Sequence, residues 1–164
     1  MDNTVGSLTE EQKSILIGTL LGDGTMRKKK NAHLEINHCF DQKVLVDWMF
    51  AKFKNLVKTL PKWRRGNGSR QAYRFATQKL QILTPYYDWF YRNNKKIIPV
   101  DLTLSPLQLI NLLRSQFGID ATLNKDKSYY RIRIRTRSVK RFIELVKEFV
   151  LEEFQYKFPS VMTL

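Results

Sequence analysis

The stretch Leu16-Ile17-Gly18-Thr19-Leu20-Leu21-Gly22-Asp23-Gly24 limits the possible folds more than any other part of the chain. It is apolar over more than one helical stripe, so a helix made from it must be covered on more than one side. Gly18 and Gly22 lie four residues apart, share a helix face, and would let another backbone come close. Each glycine costs a helix roughly 1 kcal/mol against alanine, so two on one face ask for a reason. The helix stops at Gly22-Asp23-Gly24, and the Asp23 carboxylate emerges at the end of a buried helix. Two readings stand here. A carboxylate beside an exposed backbone oxygen, that of Gly22, is hard-ligand chemistry that suits Mg²⁺. Asp23-Gly24 is equally a plain helix stop leading into a turn.

The rest of the chain reads as helices alternating with hairpins. Ser7 is the expected N-cap of the first helix, with Glu10 as its capping-box partner. Strand-like pieces follow at Thr25 to Lys30 and Ala32 to His38. A second helix is expected from Gln42 to Lys58, with Asp41 as its N-cap. Pro61 and Gly66-Asn67-Gly68 bracket a hairpin that returns along Gln71 to Thr77. A third helix, Leu80 to Tyr91, ends at Asn93-Asn94. After Lys95-Lys96-Ile97-Ile98-Pro99, the pair Ser105-Pro106 caps a helix from Leu107 to Phe117 that stops at Gly118. A hairpin from Ala121 to Arg137, turning at Asn124 to Ser128, leads to a last helix from Val139 to Phe154. Trp48, Phe53, Tyr86, Trp89, Phe90, Phe142, Phe149 and Phe154 fall on helical faces and are most simply core. Ala72-Tyr73-Arg74-Phe75 lines up with Tyr129-Tyr130-Arg131-Ile132, and Ile97-Ile98-Pro99 with Lys157-Phe158-Pro159. The second part is thus a shorter, shifted copy of the first.

Charge decides the class of partner. The 164 residues carry 29 Lys plus Arg against 15 Asp plus Glu, a formal +14. With 43% hydrophobic residues and 12% aromatics the chain can build a core, which excludes wholesale disorder. No apolar run reaches the ~18 residues of a membrane span. Met1 to Leu8 shows neither secretory signal nor transit peptide, so the expected setting is intracellular, in a bacterial cytoplasm or an organelle that encodes the protein. Cys39 has no intramolecular disulfide partner and, with His33 and His38, makes a poor zinc set. A folded domain of this charge points to nucleic acid. Arg131, Arg133, Arg135 and Arg137 alternate with Tyr130, Ile132, Ile134 and Thr136, which at strand period puts four guanidinium groups on one face. Four such groups repel one another unless a polyanion or solvent separates them. Arg27-Lys28-Lys29-Lys30 marks a second basic hairpin, and Lys62, Arg64, Arg65, Arg70 and Arg74 a third. A two-stranded ribbon fits the major groove of B-DNA, while phosphate contacts alone leave RNA open as a partner.

Leu16 to Gly24 resembles the LAGLIDADG motif of homing endonucleases. It matches at the outer Leu and Gly, at Gly18 and at the final acid, Asp23, and departs at Leu21, where the motif has its first acid. Residues 7 to 95 are similar to one LAGLIDADG domain, an α+β αββαββα unit with an antiparallel saddle sheet. Lys95 to Pro99 resembles the inter-repeat segment of the double-motif subfamily. Residues 103 to 158 resemble the later part of a second domain (αββα) whose own LAGLIDADG helix and first hairpin are missing. The expected organisation is 1–99 as the LAGLIDADG domain and 100–164 as a truncated repeat packed on it. The resemblance implies that two such helices pack through their small residues. The acid at each helix end then holds metal, Mg²⁺, between two DNA strands, and a metal-activated water cuts each strand to leave short 3′ overhangs. One chain supplies only Asp23, so double-strand cutting implies a homodimer through the Ser14–Gly24 helix. Lys95 or Lys96 matches the basic residue that polarises solvent or phosphate in the family, although a Lys pair after a helix also suits the macrodipole. His38, with Asn37, lies where the family places a polar residue that orients water, and is equally a structural histidine. The alternative function is a non-cleaving descendant that binds RNA or DNA, an intron maturase or ribonucleoprotein component.

Overall fold

A computed structural model of the chain describes residues 7–65, 71–102, 104–126 and 129–158. The chain forms two compact units, residues 1–100 and 101–164. In the first, the order is α1 (Glu10–Leu21), β1 (Thr25–Lys28), β2 (Ala32–Cys39), α2 (Lys43–Phe53), β3 (Lys62–Arg65), β4 (Gln71–Ala76), α3 (Thr84–Phe90), then a small hairpin of β5 (Tyr91–Arg92) and β6 (Lys95–Lys96). This is the αββαββα order expected of the α+β class. In the second unit, α4 (Pro106–Phe117), β7 (Ala121–Asp126), β8 (Tyr129–Ile134) and α5 (Thr136–Val146) follow in αββα order. Among the described residues, no helix is long and apolar enough to cross a membrane.

Strands β1 to β4 form one antiparallel sheet in the order β1-β2-β4-β3. Alternation along the strands buries Met26, Leu34, Ile36, Tyr73 and Phe75 on one face, against which α2 and α3 pack. Leu16, Leu20, Val46, Phe53, Leu56, Leu83 and Phe90 complete that core from the helices and turns. Each such aliphatic or aromatic side chain contributes about 1.5–3 kcal/mol by leaving water. The other sheet face carries Arg27, His33, Glu35, Asn37, Lys62, Arg64 and Arg74.

Several boundaries differ from the sequence reading, each for a physical reason. Thr9, not Ser7, is the N-cap of α1, and Gln12, not Glu10, closes the capping box. This register lets Gln12 Nε2 donate to Lys52 O and Asn55 Oδ1, both at 2.8 Å, which ties α1 to α2 through a buried amide. Asp41 is not the cap of α2. It lies in a 3-10 turn, Phe40–Gln42, that runs straight into the helix, with Gln42 at the cap position. Helix α2 ends at Phe53 because Lys54–Leu56 tightens into a second 3-10 turn that buries Leu56 and turns Val57 into extended chain. Helix α3 begins only at Thr84, since Leu80 is held against Ala32. It ends at Phe90, since Tyr91 enters a strand. The second unit keeps its expected start. Ser105 and Gln108 form a capping box, Pro106 opens the helix, and Gly118 closes it in the left-handed region.

The last hairpin is shorter than expected. Strand β8 stops at Ile134 and α5 begins at Thr136 rather than Val139. Ser138 is buried in the first turn of α5, and its hydroxyl accepts from the Asp120 backbone N–H at 2.9 Å. The expected turn at Gly66-Asn67-Gly68 and the Pro159 tail lie outside the described residues.

Candidate functional site

Helix α1 ends in a tight, fully specified turn. The Gly22 N–H donates to Gly18 O and the Gly24 N–H to Thr19 O, at 3.1 and 2.9 Å. A Cβ at Gly24 would stand 2.8 Å from the Thr19 carbonyl oxygen and run into the Thr19 methyl, so only glycine allows this closure. The turn leaves Asp23 exposed, and its carboxylate makes no hydrogen bond or ion pair among the described residues.

Opposite the turn stands Lys96. Its Nζ donates to Gly22 O at 2.5 Å and to Gly24 O at 2.8 Å, the carbonyls on either side of Asp23. Burial pushes the ammonium pKa below the usual lysine value, and the negative charge of Asp23 opposes that shift. In the β5–β6 hairpin Tyr91 pairs with Lys96 and Arg92 with Lys95, and it is Lys96 that reaches the turn. Its two-residue turn is Asn93-Asn94, both at positive φ, the turn that suits a two-residue hairpin. Tyr91 anchors the hairpin, its hydroxyl accepting from the Met26 N–H at 2.8 Å. Sequence reading took Asn93-Asn94 for a helix stop; a dipeptide of left-handed-tolerant residues between two short extended pairs was the available signal.

His38 and Asp23 line one concavity of about 370 Å³, whose apolar wall includes Ile15, Leu45, Trp48 and Met49. Gln42 also lines it, a residue that sequence reading did not single out. The Gly18–Gly22 face of α1 opens on the same space. A Cβ at Gly18 would meet nothing within 4 Å, and one at Gly22 only the Gly18 and Thr19 carbonyls at 3.7 Å. Nearby Leu21 is 49% exposed.

The donor set suits a hard cation in kind but not in number. Asp23 offers one unpaired carboxylate, while the Gly22 carbonyl already accepts from Lys96. Among the described residues, no group of three or more His, Cys, Asp or Glu side chains could hold a metal ion.

The basic residues divide between faces. Lys62 lies across from Arg74, and Arg64 across from Ala72, on the sheet face turned from the helices. Arg27 shares that face and donates from Nε to Glu35 Oε2 at 2.9 Å. Lys28 points the other way, bonded to Asp88 at 2.7 Å and over the Tyr87 ring. It therefore departs from the basic ribbon expected of Arg27-Lys28-Lys29-Lys30. Lys29 and Lys30 are exposed in the turn after β1. Arg65 ends β3 with its side chain outside the described residues, and Arg70 lies outside them altogether.

The four-arginine strand does not form. Arg131 and Arg133 are exposed on β8, across from Asn124 and Thr122. Arg135 takes the N-cap position of α5, and Arg137 lies in that helix's first turn. Asp120 meets the chain where it turns: its carbonyl accepts from the Arg135 N–H at 2.9 Å, and its carboxylate holds Arg137 at 2.7 Å and Arg114 at 3.1 Å. The Arg137 hydrogen bond leads the effects that keep the Asp120 carboxyl below its usual pKa, with Arg114 adding to it.

The fold is similar to that of a solved complex, the homing endonuclease I-WcaI bound to its DNA recognition sequence. The TM-score is 0.75 at 20% sequence identity, over 94% of this chain and 88% of that one. At that identity the likeness is one of fold. Residues 13–108, more than half of the chain, match the model of the LAGLIDADG DNA endonuclease family. That match begins inside α1 and takes in the Gly18, Gly22 and Asp23 turn, the four-stranded sheet and the Lys96 hairpin, and with it the chain belongs to the LAGLIDADG DNA endonuclease family.

Proposed function

We propose that this chain is a sequence-specific, Mg²⁺-dependent endonuclease of double-stranded DNA that works as a homodimer. The observation that carries the reading is the open Gly18–Gly22 face ending at an exposed Asp23 that is unpaired among the described residues. A second α1 lying on that face would bring a second Asp23 beside the first and supply the donors that one chain lacks. Asp23 and the Gly22 carbonyl would then hold the metal, with Lys96 giving up Gly22 O and keeping Gly24 O. When bound, the metal supplies Lewis-acid stabilisation of the phosphodiester and a water acidic enough to attack it. Lys96 holds the turn that aims Asp23, and His38 stands in the same concavity to hydrogen-bond solvent there. Lys62, Arg64 and Arg74, with Arg131 and Arg133 in the second unit, bind the polyanion. Residues 101–164 read as a truncated second repeat.

A second reading rests on one observation: each chain carries a single acid at the site. A monomer would then be a non-cleaving nucleic-acid-binding protein descended from such an endonuclease, an intron maturase or ribonucleoprotein component.

The test combines molar mass with cleavage of a randomised duplex DNA library in Mg²⁺, its cut ends sequenced. The expected result is a particle of about 39 kDa, twice the 19.5 kDa of one chain, and ends with short 3′ overhangs. Asp23→Asn should abolish cutting while DNA affinity stays within a few-fold. Undiminished cutting by that variant removes Asp23 from the chemistry; a strict monomer that never cuts favours the second reading.

A further inference from the structure

Glu35 is the sole acid among the described strand residues on the basic face of the four-stranded sheet. A carboxylate there repels phosphate, so its presence needs a reason. Its neighbours supply one. Arg27 lies directly across from His33, and Glu35 across from Thr25, in the β1–β2 register, so Arg27, His33 and Glu35 share the face. Arg27 Nε donates to Glu35 Oε2 at 2.9 Å, and His33 Nε2 lies 3.2 Å from the other oxygen, Oε1. Each carboxylate oxygen therefore faces a neighbour on this sheet, Arg27 at one and His33 at the other.

The Arg27 side chain is 73% exposed and that of Glu35 24%. An exposed ion pair of this kind adds little stability, but it fixes an orientation. Glu35 grips Arg27 by Nε, near the stem, and no hydrogen bond among the described residues engages either Nη. The guanidinium end that remains carries two parallel N–H donors, the pattern that meets O6 and N7 of guanine in the major groove. A phosphate contact would need no such brace. Exposed Lys62 and Arg64, for which the described residues provide no carboxylate partner, fit that simpler role.

We propose that Arg27, braced by Glu35, reads a guanine in the bound DNA and so sets sequence specificity, with Glu35 as its positioning residue. The inference rests on the proposed reading of this sheet face as the DNA surface, and names the base that one position selects. The test is selection of bound sequences from a randomised duplex DNA library, in EDTA so that binding is read without cleavage. Wild-type protein is compared with Arg27→Lys, Arg27→Gln and Glu35→Gln, and thermal unfolding checks that each variant is folded. Wild type should enrich a site with guanine at a position where both Arg27 variants lower the preference by about tenfold, leaving other positions unchanged. Arg27→Lys should keep the salt dependence, because the charge remains. Glu35→Gln should weaken the same guanine preference and no other.

Two outcomes overturn the inference while sparing the DNA-binding reading. One is a uniform loss of affinity in Arg27→Gln with a salt slope lower by about one and no change in base preference, which marks a phosphate contact. The other is an unchanged enriched site in all three variants. A wild-type protein that enriches no sequence overturns both the inference and the reading beneath it.

Discussion

Lys96 donates to the carbonyls on both sides of Asp23, at a helix end where the last carbonyls lack partners of their own. Water can replace those two hydrogen bonds, so their loss costs about 1 kcal/mol of stability. Water cannot replace the geometry. With the clamp gone, the Gly22-Asp23-Gly24 turn has one fewer constraint, and a shift of about 1 Å in a reacting group can cost about 100-fold in rate. Lys96→Met should therefore lower the denaturant midpoint slightly and cleavage by about two orders of magnitude. Urea unfolding and cleavage of the selected site, measured on the same preparation, check this. A large stability loss with proportionate loss of activity would make Lys96 a fold residue only. The sequence alone points to Asp23 and, from the pair Lys95-Lys96, to Lys96. The carboxylate is legible because a helix stop is local, whereas the contact of Lys96 with that stop is not, because the turn lies some seventy residues upstream.

The β5–β6 hairpin is the smallest element and the one that delivers Lys96. Its turn holds Asn93 at φ 50° and Asn94 at φ 61°, a region that costs an ordinary L-residue roughly 1–2 kcal/mol. The Tyr87 hydroxyl also donates to Asn94 Oδ1 at 2.9 Å. Asn94→Ala should then lose about 1–2 kcal/mol by chemical denaturation, and Asn94→Gly should recover most of it. Equal losses in the two variants would place the cost in the Tyr87 contact rather than the backbone. Elements of this kind explain where sequence reading succeeds. The caps of α4 are chemistry among near neighbours, Ser105 with Pro106 at one end and Gly118 at the other, and are readable as such, although the sequence reading leaves out the part that Gln108 plays. The end of β8 is not readable, because the alternation of arginines continues through Arg137 while the chain has already turned into α5. At that boundary the Asp120 backbone accepts from the Arg135 N–H and donates to the Ser138 hydroxyl, each at 2.9 Å across at least fifteen residues, and no local pattern carries that information.

At the scale of the whole molecule, a formal charge of +14 favours polyanions and disfavours association of like chains, so a dimer needs a specific, closely packed contact. In the proposed homodimer the α1 face supplies it through Gly18. Within a single chain an added methyl there meets nothing within 4 Å, and alanine is better than glycine in a helix by roughly 1 kcal/mol. Gly18→Ala should thus stabilise the isolated chain. Across a helix pair the same methyl appears twice at closest approach, where overpacking costs about 1–3 kcal/mol. The two effects have opposite signs, which separates them in one variant. Gly18→Ala should raise the unfolding midpoint at low protein concentration and raise the dimer Kd by about tenfold, read from light scattering over a concentration series. Cleavage should fall with the dimer population and return when concentration restores it. A variant that is more stable, associates as the wild type does and cuts as well would take α1 out of the interface, and with it the pairing of two Asp23 carboxylates.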